Sequence, residues 1–229
     1  LADFICVPSQ YVKESFIKYG IKEDKIIKVP YGVDLKEFFV IKDKKKDNKF
    51  RIISTGSISI RKGSHYLLKA FLNLNLPNSE LVFVGDVSPE FQKIKKKYSN
   101  ITNIKFVKKQ KQEVLKYYYN NSDLFVLCSI EEGLAMVQAQ AMACGLPVIC
   151  TTNTGGSEII DDDISGYIIP IRNIEILKDK KKILYNDRDK LEEMSKCAHA
   201  KANNKLSWEN YGDRMLKIYG ELMQKKIKS

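Results

Sequence analysis

Residues 123–150 read DLFVLCSIEEGLAMVQAQAMACGLPVIC, and the architecture of the chain follows from this stretch. Asp123 to Cys128 is an apolar run of strand length, and Pro147 to Cys150 is a second. Between them, residues 135–144 have the length and the small, Ala-rich composition of a helix. Strand, helix, strand in this order is the unit from which parallel sheets are built.

Outward from that unit the alternation continues in both directions. Strand-like runs lie at 3–7, 26–29, 50–55, 80–84, 103–107 and 167–169. Helical stretches fall at 9–19, 62–75, 88–98, 111–120, 173–185, 187–203 and 208–226. The strand runs are rich in Ile, Val and Phe and scarcely alternate with polar residues, as a sheet covered on both faces requires. The expected fold class is therefore α/β, a Rossmann-like doubly wound parallel sheet. Residues 41–49 (IKDKKKDNK) are charged and poor in apolar side chains, and read as a surface loop ahead of the main domain. Residues 1–40 then carry one further βα unit and the connector Val29-Pro30-Tyr31-Gly32-Val33-Asp34, whose Pro and Gly suit a fixed turn.

With 229 residues, 44% hydrophobic and 29% charged, the chain is long enough for one large domain with appendages. No apolar run reaches the ~18 residues that a membrane-spanning helix needs. The chain opens Leu1-Ala2-Asp3 with neither an initiator Met nor a basic-then-apolar leader, as expected of a segment cut from a longer polypeptide. Net charge is +11, yet the only arginines are Arg51, Arg61, Arg172, Arg188 and Arg214. Nucleic-acid readers lean on the bidentate arginine fork, so no nucleic-acid partner is expected. The lysine runs at 42–49, 93–97, 108–111, 178–182 and 225–228 read as solvated surface, with an attraction to anionic membrane that suits peripheral contact. Five cysteines form no C-x-x-C pair, and Cys6, Cys128 and Cys150 sit in strand runs, which points to buried reduced thiols and a cytoplasmic location.

In an open α/β sheet a ligand binds beyond the carboxyl ends of the strands. Three loops there have suitable composition. In Gly56-Ser57-Ile58-Ser59-Ile60-Arg61-Lys62-Gly63, glycine permits close backbone approach and the two cations either hold a diphosphate or are solvated. Ser129 to Met136 carries Glu131-Glu132-Gly133 into a helix, where free backbone N–H groups suit a phosphate and carboxylates suit a cap. Gln138 and Gln140 on that helix are either an exposed face or ligand contacts. Thr151 to Glu158, with Gly155-Gly156 before Ser and Glu, is a third phosphate-friendly or capped turn. Asp161-Asp162-Asp163 precedes Ser165-Gly166 and reads as a turn more than as a metal site, so no metal is expected. The only histidines are His65, beside Tyr66 on a helix, and His199, and they support no Ser-His-Asp set. The absence of G-x-G-x-x-G and G-K-[ST] disfavours a dinucleotide dehydrogenase or a P-loop NTPase.

In order and spacing the set resembles the C-terminal, nucleotide-sugar-binding domain of family 4 ("group 1") retaining glycosyltransferases of the GT-B fold. The resemblance rests on Ala2-Asp3 to Ser9, Gly32-Val33-Asp34, Gly56 with Arg61-Lys62-Gly63, and Val84-Gly85-Asp86. It continues through Ser122 to Val126, Glu132-Gly133, Ala141 to Ile149, Gly155-Gly156 with Glu158, and Trp208 with Tyr211. It implies that residues 1–40 hold the last βα unit of an N-terminal domain and the connector. Residues 41–205 are then the nucleotide-sugar-binding domain, and 206–229 a helix packing back toward the N-terminal domain, which carries the acceptor site. It implies a UDP- or GDP-linked sugar as donor, no cofactor, and Glu132 as the catalytic residue, the first glutamate of the family's motif, in contact with donor-sugar hydroxyls. Arg61 and Lys62 with Gly56 would hold the diphosphate, the backbone of Gly133, Leu134, Ala135 and Met136 would cradle the phosphates, and Val107 and Lys108 would meet the base. Three positions depart from the family pattern: Gln140 stands where a glutamate binds the ribose hydroxyls, Ser57 where an arginine is frequent, and Lys108 where a glycine is frequent.

Overall fold

In the computed structural model, which describes residues 2–42 and 47–227, the apolar runs pair into two parallel sheets. Residues 43–46 of the expected surface loop, and the end of the last lysine run beyond 227, lie outside the described residues. The small sheet joins β1 (Ile5–Val7) to β2 (Ile26–Lys28) through α1 (Gln10–Lys18). The large sheet contains β3 (Phe50–Thr55), β4 (Ser79–Val84), β5 (Ile104–Val107), β6 (Leu124–Leu127), β7 (Val148–Thr151) and β8 (Gly166–Ile169). Its order is β5-β4-β3-β6-β7-β8, every neighbour parallel. The chain thus winds outward from β3 to β5, returns to the other side of β3, and winds outward again to β8. A doubly wound sheet of this kind opens a crevice at the carboxyl ends of the two strands flanking the reversal, here β3 and β6.

The strands form where β-branched and aromatic residues cluster, and every residue of β4, β6 and β7 is buried. Helices α4 (Gln112–Asn120), α5 (Met136–Ala143) and α7 (Arg188–Lys205) cover one face through Tyr119, Met142 and Ala198. On the other, α2 (Ser64–Leu74) and α6 (Ile174–Asn186) bury Leu67, Phe71, Leu177 and Leu184. The stretch expected as one helix at 88–98 opens with a 3-10 turn, Pro89–Phe91, before α3 (Gln92–Tyr98). Proline lacks the N–H that a regular helix interior needs, which suits it to that first turn.

Two readings are corrected. Lys181, placed among solvated lysines, is fully buried, because helical periodicity sets it on the stripe Leu177, Lys181, Leu184. Cys6, expected to be buried, is exposed, because the two-stranded sheet leaves that face of β1 uncovered. Cys128 and Cys150 are buried free thiols, and burial pushes both up to about 12.

The small sheet is fastened at the rim of the crevice. Ser9 Oγ donates to the Gly133 carbonyl at 2.5 Å, and Glu158 accepts from the Gln10 amide at 2.8 Å while pairing with Lys28 at 2.9 Å. The connector after β2 meets the start of α8 (Trp208–Ile227), where the Val33 amide donates to the Leu206 carbonyl at 2.6 Å. Gly32 lies so close that a Cβ there would come within 2.7 Å of the Ser207 carbonyl oxygen. Trp208 and Tyr211 pack edge to face at 5.3 Å. No helix among the described residues is long and apolar enough to cross a membrane.

Candidate functional site

The loops after β3 and β6 leave adjacent strand ends and close on each other. Arg61 accepts from the Ile130 amide through its carbonyl at 2.9 Å, and its guanidinium donates to the Glu131 carbonyl at 2.9 Å. The Glu132 carboxylate is in direct contact with the Lys62 ammonium and lies 3.6 Å from the Arg61 guanidinium. The Lys62 side chain is only 16% exposed and is therefore not a solvated surface cation, whereas that of Arg61 is 57% exposed. The glutamates do not cap α5 either, since its N-cap is Ala135, which has no side-chain acceptor. The Gln138 backbone amide turns back to the Ala135 carbonyl at 3.0 Å and the Ala135 amide donates to the Thr154 carbonyl at 3.4 Å, so it is the Met136 and Val137 amides that this uncapped start offers to an incoming anion. The structure thus brings Arg61, Lys62, Glu132 and the start of α5 together.

Close backbone approaches fix this geometry. Gly63 has a φ of +65° and a Cβ there would lie 1.9 Å from the Cys128 carbonyl oxygen, so the loop after β3 can press against the end of β6 only through glycine. From the other side Asn153 accepts from the Glu132 amide through its carbonyl at 2.8 Å and donates its side-chain amide to the Ile130 carbonyl at 3.0 Å. The loop after β7 therefore acts as a brace. Its Glu158 is spent on the start of α1, as described above.

Gly56, with its φ of +103°, faces open space at the end of β3. Leu134 and Ala135 are buried, so only their backbone can meet a ligand, whereas Met136 is exposed. Val107 and Lys108 lie at the carboxyl end of β5, two strands from β3; the Val107 carbonyl accepts from the Gly85 amide at 2.9 Å, and the Lys108 side chain is exposed. They are on the same side of the sheet as the cluster but do not touch it.

Neither glutamine forms an exposed face. Gln138 is fully buried and donates to the Thr154 carbonyl at 3.1 Å. Gln140 is 8% exposed, and its Oε1 accepts from the Tyr119 hydroxyl at 3.3 Å. Tyr119 lies 2.8 Å from the Thr55 hydroxyl, just before Gly56, and its burial pushes the phenol up, so it remains a neutral donor. With Oε1 engaged by Tyr119, the amide presents Nε2–H as its free group. Nothing in the sequence singles out Tyr119 or Asn153, since each acts from a different loop or helix than the residue it holds.

The acidic run 161–163 behaves as a turn: Asp161 pairs with Lys201 at 2.7 Å, Asp163 with Lys190 at 2.9 Å, and Asp162 accepts from the Ile168 amide at 2.9 Å. A cavity of about 670 Å³ runs along the β5 edge of the sheet, lined by Arg51 and Glu80 near the amino ends of β3 and β4, by Lys105, and by Val107 at the carboxyl end of β5, among others. There burial pushes the Glu80 carboxyl up, but hydrogen bonds from Lys105 and Arg51 outweigh it and hold it below the usual carboxylate range.

A doubly wound parallel sheet of this kind occurs in GT-B glycosyltransferases, and solved structures of such proteins share the fold of this chain. Anabaena HepE, solved with UDP and glucose, superposes with a TM-score of 0.85 over 96% of this chain and 63% of its own, at 18% identity. The C-terminal domain of a group 1 glycosyl transferase from Francisella tularensis matches with a TM-score of 0.70 over 77% of this chain and 99% of its own, at 24% identity. Among curated sequences, a probable sucrose-phosphate synthase of Thermosipho melanesiensis is 27% identical over 231 residues, 94% of this chain and 51% of that protein. The family model of glycosyl transferases group 1 matches residues 36–201, and the chain belongs to that family. It spans about half the length of the first curated relatives it matches, which it covers to 48%, 51% and 42%.

Proposed function

We propose that the chain is the C-terminal, donor-binding half of a family 4 retaining glycosyltransferase. It would transfer a hexosyl unit from a UDP- or GDP-linked sugar to an acceptor glycan or lipid with retention of anomeric configuration. The observation that carries this reading is the Glu132–Lys62–Arg61 cluster at the reversal of strand order, in a chain of this family. Residues 1–40 and α8 are then the parts that join the domain to an N-terminal acceptor domain, without which transfer does not occur. The exposed Leu216, Tyr219 and Met223 on α8 support this, since they form an apolar stripe at helical spacing. The lysine excess supports peripheral contact with the inner face of the membrane in the cytoplasm.

The cluster suggests how binding is coupled to chemistry. An arriving diphosphate competes with Glu132 for Lys62 and Arg61. Once displaced, the carboxylate is free to accept hydrogen bonds from donor-sugar hydroxyls. As the glycosidic bond breaks, charge gathers on the leaving diphosphate, and Lys62, Arg61 and the α5 amides stabilise it more than the ground state. No metal enters this reading.

The test is a thermal-shift titration of the chain with UDP, GDP and ADP, with and without sugars. A nucleotide at 100 times its Kd adds about 2.7 kcal/mol to the native state, a rise of roughly 5–10 °C for a chain of this size. One nucleotide should give that rise and the others much less; no rise with any of them at millimolar concentration sinks the proposal.

A second reading is a degenerate GT-B module that binds without transferring, and Gln140 and Ser57 favour it. The two readings part at Gln140→Glu. A carboxylate accepting from the ribose hydroxyls in place of an amide should tighten nucleotide binding about fivefold, or ~1 kcal/mol. Unchanged affinity in calorimetric titration would favour the degenerate module.

A further inference from the structure

Helices α2 and α3 carry Lys69, Lys93, Lys95, Lys96 and Lys97 and not one Asp or Glu. Between them lies a cavity of about 300 Å³ lined by His65, Leu68 and Lys69 from α2 and Lys93, Ile94, Lys97 and Tyr98 from α3. No acidic side chain lines it; Asp86 and Glu90, in the segment before α3, lie outside the lining. Three exposed lysines border this hollow with no acid in its lining, which favours an anion over a cation there. A second observation points the same way. His65 itself lines the groove, its ring tilted against Tyr66 at 3.9 Å. Its Nδ1 is enclosed and without a hydrogen-bond partner among the described residues, so Nε2 is the ring nitrogen that can meet an anion in the groove.

We propose that this groove binds a phosphate-bearing anion, held by Lys69, Lys93 and Lys97 and by a hydrogen bond from the protonated ring of His65. The site is separate from the crevice, and the proposal stands whether or not the donor reading does. The two sites are nonetheless joined. Lys62 donates its amide to Ser59 Oγ at 3.2 Å, and the Ser59 amide donates to Ser64 Oγ at 3.3 Å, one residue before His65. An anion in the groove therefore bears on the loop that carries Arg61 and Lys62.

Burial first, and Lys69 second, hold the His65 imidazolium below the usual histidine range. The groups facing it are Tyr66 and Lys69 on its own helix and Lys93, Lys97 and Tyr98 on α3. The free protein has a neutral ring at pH 7, and a bound anion restores the charge, so affinity rises as pH falls.

The chain has only two histidines, His65 and His199, so proton NMR follows each ring through a pH titration, with His65→Gln assigning the signals. Sodium phosphate or inorganic pyrophosphate at millimolar concentration should raise the His65 midpoint by about 0.5–1 pH unit and leave His199 unmoved. Lys93→Gln with Lys97→Gln, both exposed positions, should abolish the rise and keep the melting temperature. Lys111→Gln with Lys182→Gln, removing the same charge elsewhere, should keep the rise. Vesicles of phosphatidylcholine and phosphatidylglycerol form the other arm. A rise with vesicles alone identifies a lipid headgroup as the anion, and a rise with the free ions a soluble phosphate. The proposal is overturned if neither moves His65, or if the rise persists at full size in the Lys93/Lys97 variant.

Discussion

Arg61→Ala combined with Lys62→Ala is expected to weaken UDP or GDP binding by at least about 100-fold. Two hydrogen bonds from charged groups are worth roughly 1.5–3 kcal/mol each, which together correspond to about 10²–10⁴ in affinity. The effect should exceed simple loss of two cations, because Glu132 would remain in place with its partners gone. With the Glu132 backbone fixed by the Asn153 carbonyl, its unpaired carboxylate then faces the incoming phosphates and repels them. Glu132→Gln separates the terms. It releases Lys62 and Arg61 without removing them, so the free nucleotide should bind as well as before or better, while the added affinity from the attached sugar is lost. Calorimetric titration of the three variants with nucleotide and with nucleotide sugar measures both. An affinity within threefold of the parent for the double alanine variant would place the diphosphate elsewhere. On the donor-half reading proposed above, the same double variant should also lower turnover of the enzyme joined to its acceptor domain, because the two cations would then stabilise charge that develops in the transition state.

How far the site is legible before the structure follows from what kind of fact each part is. The strands are visible because a sheet covered on both faces must be built from apolar runs, and those runs stand out at 50–55, 123–128 and 147–150. Arg61, Lys62 and Glu132 are visible as charged residues beside glycines in loops at strand ends, although nothing local says that they meet. Their meeting depends on β6 lying next to β3 rather than next to β5, which is a matter of winding order. Asn153 and Tyr119 are invisible for the same reason: each is unremarkable in its own segment and matters only through a partner more than 20 residues away. Lys181 shows the opposite failure. The run DKKK at 179–182 looks solvated when read as composition, whereas the spacing from Leu177 to Leu184 already marks position 181 as inward.

Lys181→Met is expected to stabilise the chain by about 3–4 kcal/mol at pH 6 and to flatten its stability profile above pH 7. The Lys181 ammonium is fully buried with no hydrogen-bond partner among the described residues, 5.8 Å from the centre of the Phe71 ring. Burial pushes it down to about 7, well below an ordinary lysine, and the nearby Cys128 thiol, itself pushed up to about 12, stays neutral and supplies no counter-charge. Between pH 7 and the ordinary lysine range, the unfolded chain holds a proton that the native chain has released. Native stability therefore climbs with pH across that window, by up to about 1.4 kcal/mol per unit. Below pH 7 both states are charged, the slope vanishes and the full penalty applies. Methionine fills a similar volume beside Phe71, Leu177 and Leu184 and carries no charge, so its advantage should be greatest at pH 6 and shrink toward pH 10. At that upper end only the neutral amine, buried without a partner, still separates the two proteins, and the difference should fall below about 1 kcal/mol. Urea unfolding of both proteins at intervals from pH 6 to 10 reads the difference directly. Parallel stability profiles would mean that the ammonium reaches solvent or a counter-ion in the native state, and the buried-charge account of Lys181 would then be wrong.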